Sequence, residues 1–98
     1  MSTALRHTGL VVADLDRAIE FWCTALGFKI WRRMEESGRN LETAMGLEHV
    51  AVTTVKLVDS KGAILELLHF RSHPDIPEWT GTPFSTGLTH IALTVEDV

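Results

Sequence analysis

The chain has 98 residues, 45% of them apolar and 22% charged, which excludes two separate cores, since domains typically run to about 100–150 residues, and also excludes a disordered or fibrous protein. A formal net charge of −4 without any run of lysines and arginines excludes nucleic acid and anionic membrane as expected partners and leaves a small-molecule substrate. No apolar run approaches the roughly 18–20 residues that cross a bilayer, residues 1–6 lack the layout of a signal peptide, and one cysteine, Cys23, allows no internal disulfide, so a cytoplasmic protein is expected.

Residues 5–12 are mostly apolar or β-branched and lead into a break at Ala13-Asp14, which predicts a first strand. From Leu15 the period changes: Leu15, Ala18, Ile19, Trp22, Cys23 and Leu26 recur at spacings of three and four, one apolar stripe on a helix. Asp14 suits its N-cap, Asp16 adds negative charge to its first turn, and Gly27 suits a left-handed stop. Residues 28–34 predict a second strand, with Phe28, Ile30 and Arg32 to one side and Lys29, Trp31 and Arg33 to the other. Residues 35–49 are polar and contain glycine, with 41–47 long enough for one or two helical turns, and are expected to be an excursion loop. Residues 50–58 are rich in valine and threonine and 62–70 are largely apolar; Asp59-Ser60-Lys61-Gly62 between them is turn chemistry, so a hairpin is expected. The predicted unit is β-α-β-β-β, an α+β module over residues 1–70. Residues 71–86 hold Pro74, Pro77 and Pro83 and have no period, which predicts an extended connector.

After the connector the opening recurs. His7-Thr8-Gly9-Leu10-Val11-Val12-Ala13-Asp14 and His90-Ile91-Ala92-Leu93-Thr94-Val95-Glu96-Asp97 coincide at the histidine, at Leu10 and Leu93, at Val12 and Val95, and at Asp14 and Asp97. Both copies end in an aspartate suited to capping a helix. Residues 87–98 are therefore expected to begin a second module with its first strand, truncated because Val98 is the last residue.

Glu66 lies in Ala63-Ile64-Leu65-Glu66-Leu67-Leu68, where apolar residues occupy both faces of the strand. A carboxylate so placed needs a metal, an arginine or a ligand beside it, because an unpaired buried charge costs several kcal/mol; an edge strand with Glu66 facing water is the alternative. His7 and His90 each have a small residue, Gly9 or Ala92, two positions later on the same face, which leaves room for a ligand. Imidazole and carboxylate together suit a borderline or hard divalent metal, and three protein donors leave a coordination position open for catalysis. The expected metal set is His7, Glu66 and His90. His69 has opposite parity to Glu66 and should face the other way, and His49 and His73 fall at loop or strand-end positions. Cys23 and Trp22 read as core. Trp31, Arg32, Arg33 and Trp79 are read as ordinary surface or, alternatively, as lining a pocket for an anionic or aromatic substrate.

The run from His7-Thr8-Gly9-Leu10-Val11-Val12 through Ala13-Asp14-Leu15-Asp16-Arg17-Ala18-Ile19-Glu20-Phe21-Trp22, closed by Ala25-Leu26-Gly27-Phe28, resembles the opening of the vicinal oxygen chelate superfamily. That superfamily holds glyoxalase I, methylmalonyl-CoA epimerase, the extradiol dioxygenases and the fosfomycin and bleomycin resistance proteins. The resemblance implies a glyoxalase-like fold of paired βαβββ modules around a divalent metal, which could be Zn, Ni, Co, Mn or Fe. It carries metal-ligand roles to His7, Glu66 and His90, while the family's fourth ligand, a glutamate late in the second module, has no counterpart here. It implies that the metal holds substrate oxygens and stabilises an enediolate formed by proton removal, as in a lyase or isomerase, with Glu66 a ligand first and a catalytic base second. It also implies a homodimer or a longer chain to supply the missing strands. Two other functions stay open: a metal-free, ligand-sequestering protein of the bleomycin-resistance type, and an extradiol-type dioxygenase.

Overall fold

The computed structural model describes residues 2–88 and 90–96. Strand β1 (Thr8–Val11) leads into helix α1 (Leu15–Glu20), which continues as one wider π turn over Phe21–Ala25. Asp14 caps the helix as expected, its carboxylate accepting from the Arg17 N–H at 3.1 Å, and Gly27 turns the chain at φ 78°, where a side chain would be strained. Strand β2 (Lys29–Ser37), helix α2 (Arg39–Met45), strand β3 (Ala51–Val58) and strand β4 (Ile64–Phe70) follow. The expected β-α-β-β-β order is present, with one insertion: the excursion expected over residues 35–49 is instead the end of β2 followed by α2, whose seven residues make about two turns.

The four strands form one sheet in the order β1-β4-β3-β2, with β1 parallel to β4 and the other pairs antiparallel. First and last strands of the module are thus neighbours, and Val12 N–H closes their ladder on the Leu68 carbonyl at 2.9 Å. The hairpin turn between β3 and β4 is built on Asp59, whose carboxylate accepts from the N–H groups of Lys61 (2.9 Å) and Ala63 (2.8 Å).

Alternation along β3 and β4 places Val55, Leu57, Leu65 and Leu67 on the face covered by α1, where they are buried with Leu15. Leu10, Val12, Ala18, Ile19, Trp22, Cys23 and Phe28 pack around them, so the core reading of Trp22 and Cys23 is met. Trp22 and Phe28 meet edge to face at 5.2 Å between ring centroids, the arrangement aromatic quadrupoles favour. Each fully buried leucine adds roughly 1.5–3 kcal/mol of hydrophobic stabilisation.

Three expectations are corrected. Ile30 pairs with Leu57 but Arg32 pairs with Lys56, with Trp31 skipped in the register, so a β-bulge puts Ile30 and Arg32 on opposite faces instead of the same one. The first strand begins at Thr8, and Leu5 is 88% exposed, because β4 starts at Ile64 and leaves earlier residues no ladder partner. The strand predicted to open a second module takes no regular structure over Leu88 and residues 90–96. Strands exist by pairing, and no described strand pairs with these residues; Ile91, Ala92 and Leu93 lie instead beside Thr8, Trp22 and Ile64. Thr89 and Asp97, the second expected cap, lie outside the described residues, as does Val98.

Candidate metal centre

On β4 the residues that do not face α1 are Ile64, Glu66 and Leu68, and on β3 they include Lys56, directly opposite Glu66 in the ladder. Gly9 is the partner of Glu66 across the parallel β1–β4 pair, and His7, two residues earlier, falls on that same open face. A Cβ on Gly9 would stand 3.2 Å from the Leu68 side chain and 4.0 Å from the Glu66 carbonyl. Glycine therefore lets the Leu68 side chain pack close against β1 beside Glu66.

His7 Nε2 lies 3.7 Å from Glu66 Oε1, and Lys56 Nζ lies 3.9 Å from Glu66 Oε2. Each carboxylate oxygen is thus claimed by a different nitrogen group. The Glu66 side chain is only 14% exposed and that of Lys56 20%, which answers the question the apolar strand posed: Glu66 is withdrawn from water and has partners. Trp31, bulged onto the same face as Arg32, lies under the Lys56 ammonium, 5.9 Å from nitrogen to ring centroid. Among the described residues, His7 Nδ1 is the buried side-chain polar atom left without a hydrogen-bond partner.

This donor pair fits a divalent metal. Zinc bonds of about 2.0–2.2 Å to imidazole nitrogen and carboxylate oxygen separate two donors of one shell by roughly 3–3.5 Å, so the His7–Glu66 spacing needs little adjustment. His90 does not complete it: no group of three His, Cys, Asp or Glu side chains suited to a metal occurs among the described residues, and His90 is exposed on the irregular segment over 90–96. The structure brings together two of the three predicted ligands.

The remaining histidines behave as parity required. His69 faces the α1 side, its Nδ1–H donating to the Val12 carbonyl at 3.2 Å. His49 is exposed in a loop with φ 53°, and His73 Nδ1 is 2.7 Å from the Ser72 hydroxyl. The candidate pocket residues part company: Trp31 and Arg32 belong to the open face, Arg33 to the helix face, and Trp79 is exposed on the connector. On the helix face, Thr53 donates to Glu35 at 2.7 Å while Arg71 pairs with Glu35 at 3.0 Å. The Thr53 hydroxyl holds the Glu35 carboxyl below its ordinary pKa, outweighing the opposing desolvation, and the Arg71 and Arg33 charges add smaller lowering effects. Arg33, Thr53 and Arg71 border an open cleft of about 410 Å³ with Asp14, Asp16 and His69.

Lys56 escaped the sequence reading. The signal that finds it is hairpin register: with Asp59 and Gly62 inside the turn, Lys56 falls opposite Glu66.

A βαβββ module with a His–Glu pair bridging its parallel first and last strands defines the class to which the comparisons assign the chain. Residues 4–98 match the Glyoxalase/Bleomycin resistance protein/Dioxygenase superfamily, and the chain belongs to that superfamily. It is 30% identical over 97 residues to a probable lactoylglutathione lyase of Synechocystis sp., covering 96% of this chain and 61% of the relative. A glyoxalase family protein from Bacillus cereus has a similar crystal structure, with a TM-score of 0.74 at 26% identity over 89% of this chain and 60% of that one. The crystal structure of SMU.1112c is similar at a TM-score of 0.63 and 26% identity, over 97% of this chain and 66% of that one. The chain therefore spans about three-fifths of the length of the curated relative that it matches.

Proposed function

We propose that this chain carries the metal-binding module of a glyoxalase-type enzyme that acts on a small oxygenated substrate by proton transfer next to a carbonyl, as a lyase or isomerase. The observation that supports it most is the His7–Glu66 pair at 3.7 Å, joined to a buried His7 Nδ1 with no partner. A catalytic pair reads well there because Glu66 is largely withdrawn from water yet stands between two nitrogen groups. The name of the Synechocystis sp. relative, probable lactoylglutathione lyase, supports the lyase arm of the reading.

In this reading His7 and Glu66 would hold the divalent cation, and His90, the third donor that the sequence points to, would have to join them from the exposed segment over 90–96. When bound, the metal supplies Lewis-acid stabilisation of negative charge that develops on substrate oxygens as a proton leaves. Glu66 keeps its carboxylate in place through its neighbours on both sides and acts as a ligand before it acts as a base. His7 presents Nε2 toward Glu66 from the position just before β1. The net charge of −4 and the lack of a basic run support a small-molecule partner over nucleic acid or membrane. No helix among the described residues is long and apolar enough to cross a membrane. The setting we propose is the cytoplasm, and the assembly a homodimer.

The decisive measurement is the divalent-metal content of purified protein beside a Glu66→Ala variant. Wild type is expected to retain metal and the variant to lose affinity by at least about tenfold, the lower end of what loss of even an outer partner of a metal ligand costs. Equal and negligible metal in both would sink the metalloenzyme reading and leave a ligand-sequestering protein.

A further inference from the structure

We propose that Lys56 is a built-in competitor for the metal site: its ammonium serves as the counter-ion of Glu66 in the metal-free chain and weakens the hold of the His7–Glu66 pair on a divalent cation. This inference rests on the metal reading above and assigns a role to a residue outside the donor set.

In the sheet register Lys56 stands directly opposite Glu66 on β4, with Arg32 of β2 on its other side. Its Nζ stands 3.9 Å from Oε2 while His7 Nε2 stands 3.7 Å from Oε1. Any cation that Glu66 accepts must therefore share the carboxylate with a charge already in place. Both side chains are largely withdrawn from water, at 20% and 14% exposure, so the ammonium and an incoming dication are screened from each other less than surface charges would be. A lysine free to swing into solvent would escape that repulsion. Lys56 is restrained, because the bulge at Trp31 sets an indole under the ammonium at 5.9 Å, an attraction that strengthens where water is excluded. The site thus holds one positive charge through the protein's own fold, and a metal must displace it or tolerate it. The consequence is a lower metal affinity than an imidazole and a carboxylate would have beside a neutral neighbour.

Removing the charge should tighten binding. Wild type, Lys56→Met, Lys56→Arg, Glu66→Ala and the control Lys61→Met, which removes an exposed turn lysine, would be titrated with Co²⁺ by its visible absorption and with Zn²⁺ by calorimetry. Far-ultraviolet circular dichroism would confirm that each variant is folded. Lys56→Met is expected to bind both ions about tenfold more tightly than wild type, a ratio equivalent to ~1.4 kcal/mol. Lys56→Arg, which keeps the charge, and Lys61→Met should stay within about threefold of wild type. Binding by wild type that is abolished in Glu66→Ala but unchanged or weaker in Lys56→Met overturns the role of Lys56 and leaves the metal reading standing. An equal gain in Lys61→Met also overturns it, since net charge alone would then explain the effect. Binding by Lys56→Met and not by wild type supports it. Binding by none of the variants overturns the metal reading and the competitor role together.

Discussion

Asp59 shows how much one exposed side chain can organise. Its carboxylate gathers the N–H groups of Ala63 and Lys61, and those two bonds, in that order, hold its pKa below the ordinary aspartate value against a small opposing effect of desolvation. A carboxyl whose pKa is lowered by folding contributes stability above its unfolded pKa, and that contribution fades as pH falls through the folded one. Asp59→Ala is therefore expected to lower the urea midpoint at neutral pH. The gap to wild type should close progressively as the pH drops below about 4, the reference range for aspartate. A gap that stayed constant down to pH 2 would show that the turn does not depend on the ionised form. Glu35 on β2, lowered chiefly by the hydroxyl of its cross-strand partner Thr53, adds to the same acid sensitivity.

At the scale of elements, the sheet owes its order to which residues α1 can cover. Leu67 is fully buried at the centre of that face, and its neighbours on β3 and α1 are held by backbone ladders that cannot collapse far. Leu67→Ala is expected to cost about 2–5 kcal/mol, read as a fall in thermal midpoint, with the larger value implying that the resulting cavity stays open. The helix stripe, the hairpin turn and the alternation of β4 were legible in residues 15–26 and 59–70 because each follows from local spacing. The bulge at Trp31 was not, because nothing in Lys29-Ile30-Trp31-Arg32-Arg33 marks a skipped residue; only the pairing with β3 reveals it. Helix α2 falls within the expected one or two turns but starts two residues earlier, at Arg39, for a related reason. Gly38 and Gly46 flank it without a side-chain cap, so its ends carry no N-cap signature. Of the site, Glu66 was legible from its apolar strand and His7 from the repeated opening, whereas Lys56 required the hairpin register.

The whole molecule presents two unlike faces. One is closed by α1; the other carries His7, Lys56 and Glu66 with Val11 and Trp31 exposed at 56% and 60%. Isolated apolar side chains on a surface are ordinary, but here they flank a polar site on the face of the sheet opposite α1. If a second copy covers this face, as the proposed homodimer requires, sedimentation velocity at micromolar protein should give twice the 10.9 kDa chain mass. Val11→Lys should shift the population toward monomer. A monomeric wild type over the whole concentration range would exclude the homodimer.

The parallel pairing of β1 with β4 has a consequence for the chain while it is being made. His7 emerges early and Glu66 late, and only the non-local closure of Gly9 onto Glu66 brings them together. Long-range closure of this kind comes late, because the loop entropy must be met before the contact rewards it. A nascent or partly unfolded chain thus has no His–Glu pair with which to capture stray metal. If the proposed metal site holds, metal uptake would report that the module has finished folding.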